Sequence, residues 1–114
     1  SRVPLAATID RERARSDWQQ PARTVSALVR AMDPAPGAWT TLDEQPVKLF
    51  RPGEPVSTGT MPMPGSLVRI EGGIAVACTD ALLPIGDVQP AGRRRVTGAD
   101  WIRGTPDLER AAFA

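Results

Sequence analysis

The sequence predicts a mainly β domain with a small, barrel-like core, and three observations lead to that fold class. The chain has 114 residues, 41% hydrophobic and 24% charged, enough for one globular domain with its own core. Twelve prolines and ten glycines indicate short elements separated by many turns. Short runs of β-branched and aromatic residues lie between those turns, and no strand–helix–strand rhythm accompanies them.

The one long helical pattern lies near the start of the chain, in QQPARTVSALVRAMDP. Its apolar residues recur three and four positions apart, at Val25, Leu28, Val29 and Met32. This spacing predicts an amphipathic helix whose apolar side faces the core. Pro21 suits the first turn of that helix, because its missing N–H needs no partner there, and Pro34 ends it.

Five segments have strand character: AWTTL at 38–42, PVKLFR at 46–51, SLVRI at 66–70, IAVAC at 74–78 and ALLPIGDV at 81–88. The EGG between the third and fourth segments predicts a hairpin turn. In the second segment Val47 and Leu49 alternate with Lys48, which we therefore expect near solvent. Pro84 and Gly86 interrupt the fifth segment, where we expect a bulge or an edge position.

Two further features concern the ends of the predicted sheet. Trp39 stands next to a turn, and we expect it to anchor the core; stacking on a nucleic-acid base is the alternative. TGADWIRG at 97–104 predicts a short helix with Thr97 as its cap and Asp100 as the reciprocal partner of a capping box. Gly104 is expected to end that helix in the left-handed conformation.

These elements suit a small Greek-key barrel of the oligonucleotide-binding type. It has five or six short strands, one N-terminal helix and one short C-terminal helix. We assign residues 18–114 to this barrel and residues 1–17 to an inter-domain connector. Such a fold is common among nucleic-acid-binding proteins, but fold alone does not establish function.

The composition argues against an enzyme or a metal protein. Histidine is absent, which removes the commonest general base and metal ligand. One cysteine, Cys78, forms no Cys cluster for zinc and no intramolecular disulfide, so we expect a reducing, cytoplasmic setting. No apolar run reaches the ~18 residues of a membrane span, and we expect neither a membrane nor a metal partner.

The basic residues point to a different kind of partner. Net charge is only +1, yet thirteen of the fourteen basic residues are arginines, and Arg93, Arg94 and Arg95 follow one another after a turn. Arginine suits planar, bidentate recognition of phosphate. We expect two of the three side chains to share a face. The weaker candidates for the same surface are Lys48, Arg51 and Arg103. A solubilising turn without a ligand is the alternative.

Several motifs resemble one known family. They are DW at 17–18, PA at 21–22, VRAMDPAPGAWTTL at 29–42 and DVQPAGRRRVTGADWIRG at 87–104. In order and spacing they resemble the C-terminal domain of methionyl-tRNA formyltransferase, in the wording found in high-GC bacteria. The resemblance extends over nearly the whole chain, and the motifs are specific as a set.

The resemblance implies a non-catalytic domain that positions initiator methionyl-tRNA through phosphate contacts. Formylation would be carried out by a separate N-terminal catalytic domain, which would hold the cofactor 10-formyltetrahydrofolate; this domain itself would bind no cofactor. Two alternatives stay open. The barrel could serve only as a structural support, or it could belong to a formyltransferase for another amine, such as an amino sugar or a carrier-bound amino acid. A free-standing enzyme is a distant third.

Overall fold

The computed structural model describes residues 11–105 and 107–114. Helix α1 spans Ala22–Ala31, helix α2 spans Gly98–Gly104, and a 3-10 turn follows at Leu108–Arg110. The strands are β1 Ala38–Leu42, β2 Gln45–Pro52, β3 Leu67–Ile70, β4 Gly73–Ala77, β5 Leu82–Pro90 and β6 Val96–Thr97.

All strands pair antiparallel, in the order β1-β2-β5-β4-β3, with β6 added to β5. Strands β3, β4 and β5 follow one another in the chain and lie side by side. The long connection between β2 and β3 carries the chain across the sheet, so β2 is next to β5 and not next to β3. This order is that of a Greek key. The predicted mainly β class is therefore confirmed, while the oligonucleotide-binding subtype stays a prediction.

The C-terminal segment joins the two edges of the sheet. The N–H of Leu67, in β3, donates to the carbonyl of Ala111 (3.1 Å). The N–H of Ala114 donates to the carbonyl of Thr41, in β1 (3.0 Å). Because β1 and β3 are the outermost strands, these bonds give the sheet a barrel-like closure.

Helix α1 and three stacked aromatic rings fill the interior. Val25 and Val29 of α1 are buried, as the helical spacing predicts. The ring of Phe113 stacks on Trp18 and on Trp101, with centroids 5.8 and 6.1 Å away. The members of the core are Trp18, Ala22, Val25, Val29, Ala38, Val47, Leu49, Leu67, Ile74, Val76, Cys78, Ala81, Leu83, Ile85, Val88, Trp101, Ile102, Leu108 and Phe113.

Strand β5 lies in the centre of the sheet, so the expectation of an edge position at Pro84 is wrong. It pairs with β2 on one side and with β4 on the other. Pro84 lies beyond the last residue of β2, and its carbonyl accepts a hydrogen bond from the N–H of Gly53 (2.9 Å). In an antiparallel strand the N–H and carbonyl of a residue point to the same side, which for Pro84 is the side of Gly53. The N–H that proline lacks would therefore point past the end of β2, where no strand needs it as a hydrogen-bond donor.

The irregular point of the sheet is Gly86, which faces Arg51 of β2. Arg51 has φ 56°, and a Cβ at Gly86 would lie 2.9 Å from the Arg51 carbonyl oxygen. The pairing register is the same before and after this point, so no residue is inserted and the strand is not bulged. Glycine is needed here because β2 passes too close for a side chain.

Helix α2 confirms one end of its prediction and contradicts the other. The Thr97 hydroxyl accepts a hydrogen bond from the N–H of Asp100 (3.0 Å), as expected of a cap. The Asp100 carboxylate pairs with Arg103 rather than with the cap. Gly104 is the last helical residue and lacks a positive φ, and Thr105 after it is extended. The left-handed stop is therefore wrong.

Residues 1–10 of the predicted connector lie outside the described residues. The described part runs along the free edge of β1, where the N–H of Ser16 donates to the carbonyl of Trp39 (2.8 Å). The N–H of Trp39 donates in turn to the carbonyl of Ala14 (3.0 Å). The boundary at residue 17 stays a prediction. Within the described residues, no helix is long and apolar enough to cross a membrane.

Candidate nucleic-acid interface

The three adjacent arginines lie on the turn between β5 and β6. Gly92 has φ 73°, and the N–H of Arg93 donates to the carbonyl of Pro90 (3.0 Å), which closes the turn. The Gln89 side-chain amide also donates to the carbonyl of Arg93 (3.2 Å). All three arginines are exposed, and they lie outside both strands. Strand alternation therefore does not decide where their side chains go.

Arg93 and Arg94 line one groove beside α2. Asp100, Trp101 and Gly104 of the helix line the same groove, together with Pro90. Neither arginine makes an ion pair with any of the residues that the structure describes. Two adjacent guanidiniums on a closed turn thus have no ion pair with a described residue, and the one carboxylate that lines their groove, Asp100, is bound to Arg103.

Arg95 is held elsewhere. Its Nε donates to Oδ2 of Asp87 at 3.0 Å, and its guanidinium lies over the ring of Phe50 at 4.1 Å from the centroid. A terminal nitrogen of Arg95 lies 3.9 Å from the Asp33 carboxylate. Asp87 is only 8% exposed, so this arginine supplies the positive partner of a buried carboxylate. Strand alternation, on which the expected division of the run rested, would place Arg93 with Arg95; instead Arg93 shares a groove with Arg94, and Arg95 lies apart.

Arg51 and Arg103 do not join the groove. Arg51 lies 3.8 Å from Asp87 through Nε and shares that carboxylate with Arg95. Arg103 pairs with Asp100, which lines the groove, and itself lines a separate cleft at the β3–β4 turn beside Gly72. Each of these two predicted residues is therefore already paired with a carboxylate, which Arg51 shares with Arg95.

Lys48 lies on the outer side of the sheet, as predicted from its strand. It is exposed and pairs across the strands with Trp39 on one side and Gln89 on the other. We call Trp39, Lys48 and Gln89 the outer row. Because the Gln89 side chain bonds the backbone of Arg93, the outer row ends beside the turn at residues 91–95, which we call the arginine turn.

Trp39 is a correction to the sequence prediction, because it does not belong to the core. It is half-buried on the outer row, and the guanidiniums of Arg11 and Arg15 lie 4.9 and 5.2 Å from its ring centroid. The sequence analysis did not place these two arginines in the site. Their spacing of four residues, one helical turn, was the available signal, but their aromatic partner lies more than twenty residues away.

Two further features of the described residues bear on their chemistry. Among residues 11–105 and 107–114, no group of three or more Cys, Asp or Glu side chains could hold a metal ion. Burial, and to a smaller degree the charge of Asp80, raises the pKa of the Cys78 thiol to about 11. A thiol with so high a pKa is a poor nucleophile. The arrangement is one of exposed cations on a rigid sheet.

Comparison with known proteins shows the family of this chain. The family described as formyl transferase, C-terminal domain, matches residues 8–106. The chain belongs to this family. The resemblance found in the motifs is thereby confirmed, and the domain can be called a formyl transferase C-terminal domain.

Two relatives show how much of a longer protein this domain represents. It is 42% identical over 101 residues to a methionyl-tRNA formyltransferase of Thiobacillus denitrificans, covering 87% of this chain and 32% of the relative. It is 43% identical to a methionyl-tRNA formyltransferase of Parafrankia sp., covering 98% of this chain and 36% of the relative. The domain thus spans about a third of the length of the curated relatives that it matches.

Solved structures show the same fold in a distant protein. The domain matches HypX from Aquifex aeolicus with a TM-score of 0.65 at 21% identity, covering 80% of this chain and 17% of HypX. The complex of HypX with tetrahydrofolic acid matches with a TM-score of 0.65 at 20% identity, over 83% of this chain and 17% of that one. At this identity the likeness concerns the fold alone.

Proposed function

We propose that this domain positions initiator methionyl-tRNA for formylation, with Arg93 and Arg94 holding its phosphates. The observation that carries the proposal is the pair of exposed guanidiniums beside α2 that no described carboxylate neutralises. The substrate class comes from the relatives, which are named methionyl-tRNA formyltransferase. The domain supplies binding, and the chemistry belongs to another part of the enzyme.

Phosphate is the RNA group that these side chains suit best. A guanidinium presents a planar set of N–H donors that matches two phosphate oxygens. Contacts of this kind position a nucleic acid without reading its sequence. Their strength depends on salt, because each neutralised phosphate releases condensed counterions. The domain therefore orients the tRNA, and the identity of the initiator is read elsewhere.

The ion pairs rank the other predicted residues. Lys48 stands on the outer row without a carboxylate partner in the described structure, so it is the next phosphate contact. Arg51, Arg95 and Arg103 each have a carboxylate and contribute less. With three or four phosphates neutralised, the isolated domain binds near the non-specific range, about 10⁻⁴ to 10⁻⁶ M at physiological salt.

The proposal includes a partner. Because the domain spans about a third of its relatives, a catalytic domain on its N-terminal side would hold 10-formyltetrahydrofolate and transfer the formyl group in the cytoplasm. The domain has no histidine and its one cysteine is buried, so we assign that transfer to the catalytic domain. No cofactor is assigned to the domain itself.

The test is binding to initiator tRNA across a salt series. We expect the logarithm of affinity to fall linearly with the logarithm of salt, and Arg93→Ala with Arg94→Ala to lower the slope by about two. The matched control is Arg23→Ala with Arg30→Ala. These α1 arginines are exposed, lie in a different cleft beside Pro52, and make no ion pair within the described chain.

Two results would reject the proposal. Equal slopes for wild type and the Arg93/Arg94 variant would leave the domain as a structural support for its catalytic partner. Binding that responds to both double variants alike would mean a diffuse electrostatic effect rather than a site. A parent enzyme that formylates an amino sugar or a carrier-bound amino acid, and not the tRNA, would contradict the substrate class.

A further inference from the structure

We infer that Arg11 and Arg15, held over Trp39, form a second phosphate-binding site, which we call the arginine fork. The inference rests on the proposed function, because it names a further contact of this domain with the same RNA. It assigns a role to three residues that the family resemblance and the arginine run did not point to. The ligand is a phosphate of the RNA backbone.

The fork is held in place at three points. The Trp39 indole N–H donates to the carbonyl of Arg11 (2.7 Å). Arg15 forms a parallel bridge with Trp39, so the backbone of this segment lies directly beside β1. The two guanidiniums lie 4.9 and 5.2 Å from the ring centroid. A flexible pair of long side chains is thereby restricted before any ligand arrives, which lowers the entropy cost of binding.

The ring orients the two cations without cancelling their charge. A cation–π contact is an attraction to the ring quadrupole, and it leaves the guanidinium N–H groups free to donate at their edges. Neither Arg11 nor Arg15 forms an ion pair with a described residue, although the carboxylates of Glu12 and Asp17 line the same cleft as Arg15. Two guanidiniums held at one ring, without an ion pair to a described carboxylate, offer the N–H donors that a phosphate accepts.

The position of the fork fits one continuous backbone. Trp39, Lys48 and Gln89 are register partners on three adjacent strands, and Gln89 bonds the carbonyl of Arg93. Neighbouring strands lie about 4.8 Å apart, so the outer row spans about 10 Å. Successive phosphates of one RNA strand lie several ångströms apart, so a backbone that crosses this length presents more than one phosphate. The fork, Lys48 and the arginine turn can thus face successive phosphates.

The test compares three variants of this chain in binding to initiator tRNA across a salt series. Arg11→Ala with Arg15→Ala is expected to lower the salt slope by about two and the affinity at least tenfold near 0.1 M salt. Arg13→Ala is the matched control, because it removes a charge from the same segment but Arg13 is not one of the two arginines over the Trp39 ring. We expect it to change the salt slope and the affinity only slightly. Trp39→Leu keeps all charges, so we expect a weaker affinity with an unchanged slope. Thermal melts confirm that each variant is folded.

Each outcome decides between definite alternatives. If the Arg11/Arg15 variant keeps the wild-type slope while the Arg93/Arg94 variant loses it, the fork is wrong and the proposed function stands. If neither variant changes the slope, both fall. If Trp39→Leu costs more affinity than the loss of both arginines, with the slope unchanged, an unpaired base stacks on Trp39 and the phosphate site is overturned.

Discussion

Arg95 joins a buried carboxylate to an aromatic ring: its Nε lies 3.0 Å from Oδ2 of Asp87, and its guanidinium carbon lies 4.1 Å from the centroid of Phe50. Asp87 and Phe50 are register partners on β5 and β2, so this arginine covers one cross-strand pair. Three arginines that are adjacent in the sequence therefore have two different roles. Two have no ion pair with a described residue, and one is paired with a buried carboxylate of the sheet.

Arg95→Ala should lower the stability of the domain. It leaves Asp87, 8% exposed, with only the more distant Arg51 as a positive partner. Because the Arg95 side chain is itself 38% exposed, we expect a loss of about 1–3 kcal/mol in the free energy of unfolding, less than for a fully buried pair. Urea denaturation measures it. Arg93→Ala, which removes an arginine without an ion pair to a described residue, should keep the free energy of unfolding within about 0.5 kcal/mol of wild type. Equal losses for both variants would refute the different roles of Arg93 and Arg95.

Gly86→Ala should be destabilising although the substitution is small. A Cβ there would meet the carbonyl oxygen and the Cβ of Arg51, both at 2.9 Å, so β2 and β5 would have to separate. Strain of this kind costs about 1–3 kcal/mol. Gly59→Ala is the control, because a Cβ at Gly59 has no neighbour within 4 Å. A Gly86 variant as stable as the Gly59 variant would show that the strands move apart easily.

Cys78 should make stability depend on pH at the alkaline end. Burial raises the pKa of its thiol from 9.0 to about 11, so the folded state favours the protonated, neutral thiol. The sign follows: this contribution is fully present below pH 9 and is lost as the pH rises through 11. Unfolding free energies of wild type and Cys78→Ala, measured between pH 8 and 11, should therefore converge with rising pH. Parallel curves would mean that the thiol titrates normally.

The local elements could be predicted because their patterns are local. The apolar spacing of α1 and the alternation around Lys48 depend only on neighbours in the sequence. The position of β5 could not be predicted in this way. Pro84 and Gly86 are tolerated in a central strand because β2 ends before Pro84 and because Arg51 takes up the space beside Gly86. Both reasons lie on another strand.

The end of the chain shows the same limit. Residues 111–114 have no periodicity, yet Phe113 is a core residue and Ala114 reaches β1. Their partners, Gly65 and Thr41, are far away in the sequence. A segment that makes only single backbone hydrogen bonds to the two edge strands has no alternation of apolar and polar residues in its sequence. Its role is therefore visible only in the folded chain.

The candidate site was predicted at the level of the segment but not of the residue. Composition and the Gly92 turn indicated the arginine run. Which of its members is neutralised depends on Asp87, and the fork depends on Trp39, a residue that the sequence analysis placed in the core. Charge compensation is a three-dimensional property, and counting charges along a segment does not reveal it.

The central claim is that the tRNA lies on the outer row and the arginine turn, and a titration of the isotope-labelled domain with initiator tRNA tests it most directly. In amide-resolved NMR spectra we predict shifts concentrated at Lys48, Gln89, Arg93 and Arg94. The exposed side of α1, around Arg23 and Arg30, should change little. Shifts centred on α1 or on the β3–β4 turn, or no shifts at tRNA concentrations near 10⁻⁴ M and low salt, would contradict the account.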